Sequence, residues 1–178
     1  MKRVKQRKKW VLPAFCNFVG VLILVVVILS CLPVTIPRFL GYEPYNVLSG
    51  SMEPEIPVGS IIFVKPAEPT EVLSGDIIAF QSGDSVICHR VTRNQQVEGQ
   101  FTTKGDANAE ADMNTVPYAA LIGVVQRHYP MLGALLGLYT STVGKVYVLC
   151  FAACGAMLNI LAGRIRQRRR MEQEHETE

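Results

Sequence analysis

The sequence is short of charge. Asp, Glu, Lys and Arg make up 19% of its 178 residues, whereas soluble domains carry about 25%. With 49% hydrophobic residues, that shortage excludes an ordinary cytosolic globule and a disordered chain. A disulfide framework is also missing. The five cysteines are an odd number, four of them (Cys16, Cys31, Cys150 and Cys154) fall inside apolar stretches, and Cys88 is left alone in the middle. No zinc-type spacing occurs, so the four read as small apolar fillers. Nor is there an internal repeat, a low-complexity tract, or a basic folded face of the kind that binds nucleic acid. No cofactor, nucleotide or metal is implied.

The net charge of +3 conceals a segregation. Six of the 18 Lys and Arg lie in Met1–Lys9 and five in Arg164–Arg170, while Pro33–Lys145 holds seven basic and eleven acidic residues. Between the basic ends lie two uncharged runs. Val11–Leu32 has 22 residues and as a helix spans about 33 Å, enough for a hydrocarbon core of about 30 Å. A cleavable leader has a shorter apolar region and a small-x-small exit, and none precedes Pro33, so this run is expected to be an uncleaved anchor. The second run, Val146–Gly163, is apolar nearly all round, which favours lipid over a buried amphipathic helix. Its entry point is open, because Tyr129–Gly144 is also uncharged.

By the positive-inside rule both ends are expected in the cytoplasm and the middle outside. The expected organisation is a basic cytoplasmic N-terminus over 1–10 and a transmembrane helix over 11–32. A second transmembrane helix covers 140–163 and a charged cytoplasmic tail 164–178, solvated and disordered after Met171. Pro33, Pro37 and Pro44 predict a stiff extended connector over 33–45.

Beyond the connector the periodicity is that of strands. Ser60–Val64, Asp76–Gln81, Ser85–Thr92, Gln100–Lys104 and Leu121–Arg127 are short runs rich in Val, Ile, Phe and Thr. Turn chemistry separates them at Glu68-Pro69, Ser82-Gly83-Asp84 and Asn94-Gln95-Gln96, and over Gly105–Asn114. Evenly spaced strands without intervening helices predict a compact all-β domain.

Several residues there are not required by such a fold. Ser51 stands in Ser49-Gly50-Ser51-Met52-Glu53-Pro54, where Gly50 permits a tight turn. Taken alone it is an ordinary turn serine. Strand alternation puts His89 on the face of Ile87 and Val91, opposite Cys88 and Arg90. It reads either as a half-buried structural histidine or as a base kept neutral by apolar surroundings. Asp106 and Asp112 lie in a loop-forming run that starts at Lys104-Gly105, where aspartate is common for local reasons. Together they supply a hydroxyl, an imidazole able to take its proton, and a carboxylate able to fix the imidazole's tautomer. Spacing alone does not bring them together.

The order of four segments carries a resemblance. Ser49–Pro54, then Gly75-Asp76-Ile77-Ile78-Ala79-Phe80, then His89-Arg90-Val91, then Thr103-Lys104-Gly105-Asp106-Ala107-Asn108 strongly resembles type I signal peptidases from Tyr45 to Pro130. His89 points to the ER-type branch, shared by archaea, some spore-forming Gram-positive bacteria and the eukaryotic signal peptidase complex; the usual bacterial branch has a lysine there. The resemblance implies a signal-peptidase-like extracytoplasmic catalytic domain over 46–130. It implies Ser51 as nucleophile, His89 as general base, and Asp112 as the better match to the triad acid. Asp106 would take a supporting role, and the Ser49 hydroxyl would join the Ser51 amide in the oxyanion hole. Ala107 departs from the usual Gly-Asp-Asn-Asn, and Lys104 lies outside the base position, so it is not a dyad lysine.

What the resemblance implies is a membrane-bound serine endopeptidase. It cleaves signal-peptide-bearing preproteins at the lipid bilayer, with small residues at positions −1 and −3. Secretion-pathway or accessory membrane subunits are admitted as further partners, and nucleic acid is not. The rival readings are a catalytically silent binding module of a secretion system and an exported hydrolase unrelated to secretion.

Overall fold

The computed structural model describes the backbone of residues 2–175 and the side chains of residues 11–172. The expected cytoplasmic character of 1–10 and the side chains of the last six residues lie outside what is described. The chain divides into two units. One is Pro33–Gly137, and the other combines the segments before and after it.

The second unit is helical. Helix α1 covers Lys2–Phe39, the short α2 covers Gly133–Thr140, and α3 covers Thr142–His175; the end of α1 from Pro33 and the start of α2 up to Gly137 belong to the other unit. Within these, Val11–Phe39 and Thr142–Glu172 are long and apolar enough to cross a membrane. A Cβ placed on Gly20 would stand 2.8 Å from the Gly155 carbonyl oxygen and 2.8 Å from the Asn159 amide nitrogen. Only a glycine lets α1 and α3 approach this closely, as small residues commonly do between membrane helices. The first turn of α3 is capped by Ser141, whose hydroxyl accepts from the Gly144 N–H at 3.0 Å.

Two expectations are corrected here. The connector is not extended from residue 33: α1 continues unbroken through Pro33 and Pro37 to Phe39. Proline removes one intrahelical bond and can kink a helix without ending it, and extending an established helix needs no new nucleus. It stops where glycine permits. Gly41 has φ +80°, with Gly41 N–H donating to Arg38 O and Tyr42 N–H to Pro37 O, the two bonds of a Schellman cap. The tail is not disordered from Met171, since α3 runs to His175. Arg and Glu are good helix formers, and prolonging an existing helix requires no new nucleus.

Unit Pro33–Gly137 is mainly β, a seven-stranded antiparallel sheet in a domain that lies in sequence between the two apolar helices. Its strands are β1 (Glu43–Asn46), β2 (Ile61–Lys65), β3 (Ile77–Ser82), β4 (Ser85–Gln95), β5 (Gln100–Lys104), β6 (Val116–Pro117) and β7 (Leu121–Tyr129). Their order across the sheet is β1-β2-β7-β3-β4-β5-β6. The five expected strands are present, and β1 and β6 are additions at the edges, where Pro44 and Pro117 cost no ladder bond. Each face of the sheet carries a core. Met52, Ile56, Val64 and Ala79 pack on one side, and Ile78, Phe80, Val91 and Phe101 on the other. Adjacent residues of β3 thus serve opposite cores, as the period of two requires.

The two halves of strand β4 are paired differently. Ser85–Arg90 pairs with β3. On its other side β5 begins only at Arg90, which faces Lys104, and continues to Gln95. Residues 85–89 therefore present one edge that no described strand covers.

Candidate active site

The turn that carries Ser51 is fixed from below. Met52 and Ile56 are fully buried, and the Ile56 N–H closes on the Met52 carbonyl at 2.8 Å. Truncating a methionine in such a position costs about 2–5 kcal/mol, so the turn is anchored although Glu53, Pro54 and Glu55 are exposed. Ser51 itself is half-buried. Its carbonyl oxygen accepts from the Ala107 N–H at 2.9 Å. That bond is possible because residue 105 is glycine: a Cβ there would lie 2.6 Å from the Ser51 oxygen. The glycine of the second Gly-Asp segment thus serves close backbone approach.

His89 lies on the core face of β4 and is buried to 9% exposure. Its ring meets Phe80 edge to face at 6.3 Å. Its Nδ1 lies 2.6 Å from Asp112 Oδ2. An ionised carboxylate only accepts, so Nδ1 carries a proton, and in the neutral imidazole Nε2 then keeps its lone pair. Asp112 is held in turn by Thr103, which is fully buried. The Thr103 hydroxyl donates to the same Oδ2 at 2.6 Å, and the Asp112 N–H donates to the Thr103 carbonyl at 2.8 Å.

Asp106 is elsewhere. Arg90 donates to it through Nε at 2.8 Å and through Nη2 at 2.6 Å, a bidentate pair. The third arm of the guanidinium donates to the Gly75 carbonyl at 2.9 Å. One arginine therefore ties both Gly-Asp segments to β4. The Asp106 carboxylate holds the Arg90 proton more firmly than usual, chiefly through these bonds.

Ser51 and Ser49 line a small groove of about 120 Å³ with Tyr45, Val47, Ile62, Val86, Ile87 and Cys88 among its walls. Ser49 is exposed. Burial, and secondarily the Asp106 charge, push the Cys88 thiol up. Burial and the neighbouring Glu43 carboxylate push the Tyr45 phenol up to about 12. His89 and Asp112 line a second groove of about 420 Å³ with Gln81, Ser82, Met113 and Asn114. Ile87 belongs to both. The structure thus joins His89 to Asp112 and places Asp106 on Arg90. It sets Ser51 in the adjoining groove, and among the described hydrogen bonds none links its hydroxyl to His89.

Three contributors are not apparent from the sequence motifs: Thr103, Arg90 as a clamp, and the close approach at Gly105. Thr103 had a signal, because it alternates with buried Phe101, and an inward polar residue needs a partner. Among the described residues no three His, Cys, Asp or Glu side chains cluster as metal ligands would.

A family model described as Peptidase S24-like matches residues 45–125. Signal peptidase I W of Bacillus subtilis is 44% identical over 80 residues, covering 43% of this chain and 42% of that protein. The signal peptidase complex catalytic subunit SEC11 of Debaryomyces hansenii is 34% identical over 118 residues, 58% of this chain and 69% of that protein. Its counterpart in Clavispora lusitaniae is 34% identical over 128 residues, 64% and 75%. The chain thus spans less than half the length of the bacterial relative and more than two thirds of these two yeast proteins.

Proposed function

The chain belongs to the type I signal peptidase family, on its ER-type branch, and we propose that it is a membrane-bound serine endopeptidase that removes N-terminal signal peptides from exported preproteins. The observation that carries this reading is the 2.6 Å contact between His89 Nδ1 and Asp112 Oδ2. It leaves Nε2 as the basic nitrogen in a groove adjoining the one that holds Ser51.

Acyl transfer follows from these groups. The Ser51 hydroxyl attacks the scissile carbonyl while His89 Nε2 takes its proton. Asp112 stabilises the imidazolium and keeps the tautomer. The Ser51 amide and the Ser49 hydroxyl receive the oxyanion. The imidazolium then protonates the leaving amine, and the acyl group stays on Ser51 until water, deprotonated by the same Nε2, releases it. Asp106 acts at one remove, by holding Arg90 and the loop that meets Ser51.

The substrate would lie extended along the open edge of residues 85–89, where unpaired backbone groups can add a strand. Alternate side chains of such a strand face the same way, so positions −1 and −3 would share the small groove, whose size suits short side chains. The basic flanks support a topology with both ends in the cytoplasm and Ser51 outside. Enzyme and substrate are then held in one bilayer, which shortens the search. Secretion-pathway or accessory membrane subunits would complete the assembly.

The test is cleavage of a purified preprotein in proteoliposomes, with Ser51→Ala alongside and the product's new N-terminus sequenced. A single cut after a small residue, absent with Ser51→Ala, is expected. Equal cleavage by both proteins would refute the assignment, and cleavage by neither would favour a silent binding module.

A further inference from the structure

Asp112 is partly exposed, with 22% of its side chain open to solvent, and it follows a loop segment, Ala107–Ala111, that is exposed throughout. A carboxylate so placed gains by turning towards water, which would leave His89 without its partner. Something must hold it. The Thr103 hydroxyl reaches the very oxygen that receives the imidazole, at 2.6 Å. Thr103 is itself immobile, being fully buried and within the β4–β5 ladder opposite Val91. Its own carbonyl also binds the Asp112 N–H.

From this we infer that Thr103 is a positioning residue for the reaction, a β5 hydroxyl that aims the Asp112 carboxylate at His89. The inference rests on the reading of Asp112 as the triad acid. Thr103 acts through Asp112 and has no contact with the nucleophile's groove. The groups packed around His89 leave few other candidates for this work. β3 offers Ile78 opposite it and the Phe80 ring. On β4, Cys88 and Arg90 point to the other face, and Arg90 is occupied by Asp106. Met113 and Asn114, beside Asp112 in the groove, are exposed.

Removing the hydroxyl should let the carboxylate swing into solvent. The imidazole would then lose both its tautomer lock and its anionic partner. A hydrogen bond to a charged group corresponds to about ten- to hundredfold in rate when it acts only on the chemical step. The imidazolium would also be less stable, so the acid limb of the rate profile should move to lower pH.

The experiment uses the full chain in proteoliposomes and follows single-turnover cleavage of a preprotein against pH, with thermal unfolding alongside. The variants are Thr103→Val, which keeps the shape, Thr103→Ala, which cannot overpack should Val fold poorly, Thr103→Ser, and Asp112→Asn. Val or Ala should lose about ten- to hundredfold at the plateau with the acid limb moved down, and Ser should restore both. Wild-type rate and limb in a folded Val or Ala variant would overturn the inference, as would a slow variant whose limb stays or moves up, or a Ser variant as slow as Val. An active Asp112→Asn protein would instead remove the premise that Asp112 is the acid.

Discussion

Replacing Gly105 by alanine adds one methyl group at the point where the second Gly-Asp segment meets the Ser51 turn. That methyl carbon would lie 2.6 Å from the Ser51 carbonyl oxygen, where ordinary contact begins at 3.4 Å, so one of the two backbones must yield by about 0.8 Å. It would also press the Asn108 amide at 2.8 Å, but a side chain can turn away and a backbone carbonyl cannot. The backbone conformation at residue 105 is open to alanine, because its φ is not positive. The cost is therefore steric. If Ser51 moves, the Ala107 N–H to Ser51 O bond lengthens and the proposed nucleophile is displaced relative to His89. Displacements near 1 Å cost about 10²-fold in well-oriented reactions. Overpacking of this kind also destabilises by about 1–3 kcal/mol. Single-turnover cleavage by Gly105→Ala should thus be about 10²-fold slow in a protein that still unfolds cooperatively. A Gly83→Ala variant, strained at φ +57° in the β3–β4 turn, should lose stability while keeping far more activity. A Gly105→Ala enzyme with wild-type single-turnover rate would refute the idea that this contact positions the nucleophile.

Other expectations follow from the same geometry. Asp106→Asn should lower the melting temperature by weakening the Arg90 clamp, at a cost of about 1 kcal/mol for a partly exposed pair, and should slow cleavage less than Asp112→Asn. In a serine protease of unrelated fold, exchanging the triad aspartate for asparagine lowers turnover about 10⁴-fold, and single-turnover rates of the two purified variants decide the order. Cys88 should alkylate slowly near pH 8, because partial burial raises its pKa and depletes the reactive thiolate; labelling should speed up as pH rises, as peptide mass mapping can follow, and fast labelling at pH 7 would contradict the half-buried placement. Protease added to sealed, right-side-out cells should cut within Ala67–Ser74 and spare tags at both ends. An accessible C-terminal tag would show that the second apolar helix does not cross.

Much of the β-domain was legible in the sequence because each strand is short, β-branched and bracketed by turn residues; Gln100–Lys104 agrees residue for residue. β1 and β6 were hidden by their prolines, which read as breakers although an edge strand tolerates them. Pro33 and Pro37 misled in the opposite direction, since a proline costs an established helix one bond and does not oblige it to end. The stop signal was Gly41, four residues beyond Pro37. At the site, residue types and order pointed to Ser51, His89 and the two aspartates, but order alone could not say which carboxylate meets the imidazole. That depends on β5 running antiparallel to β4, which sets Thr103 and the loop after it beside His89, and on Arg90 taking up Asp106. Neither long-range pairing is encoded in a local pattern.

Asp112 is proposed to work through His89 on a reaction begun by Ser51, and a double-mutant cycle decides whether it does. Single-turnover cleavage of one preprotein is measured for wild type, His89→Ala, Asp112→Asn and the double variant, all verified as folded. Groups that act as a unit lose their effects together. Asp112→Asn should therefore slow the wild-type enzyme by orders of magnitude and cost nothing further once His89 is alanine. If Asp112→Asn slows both backgrounds by the same factor, the carboxylate does not act through the imidazole, and the account is wrong.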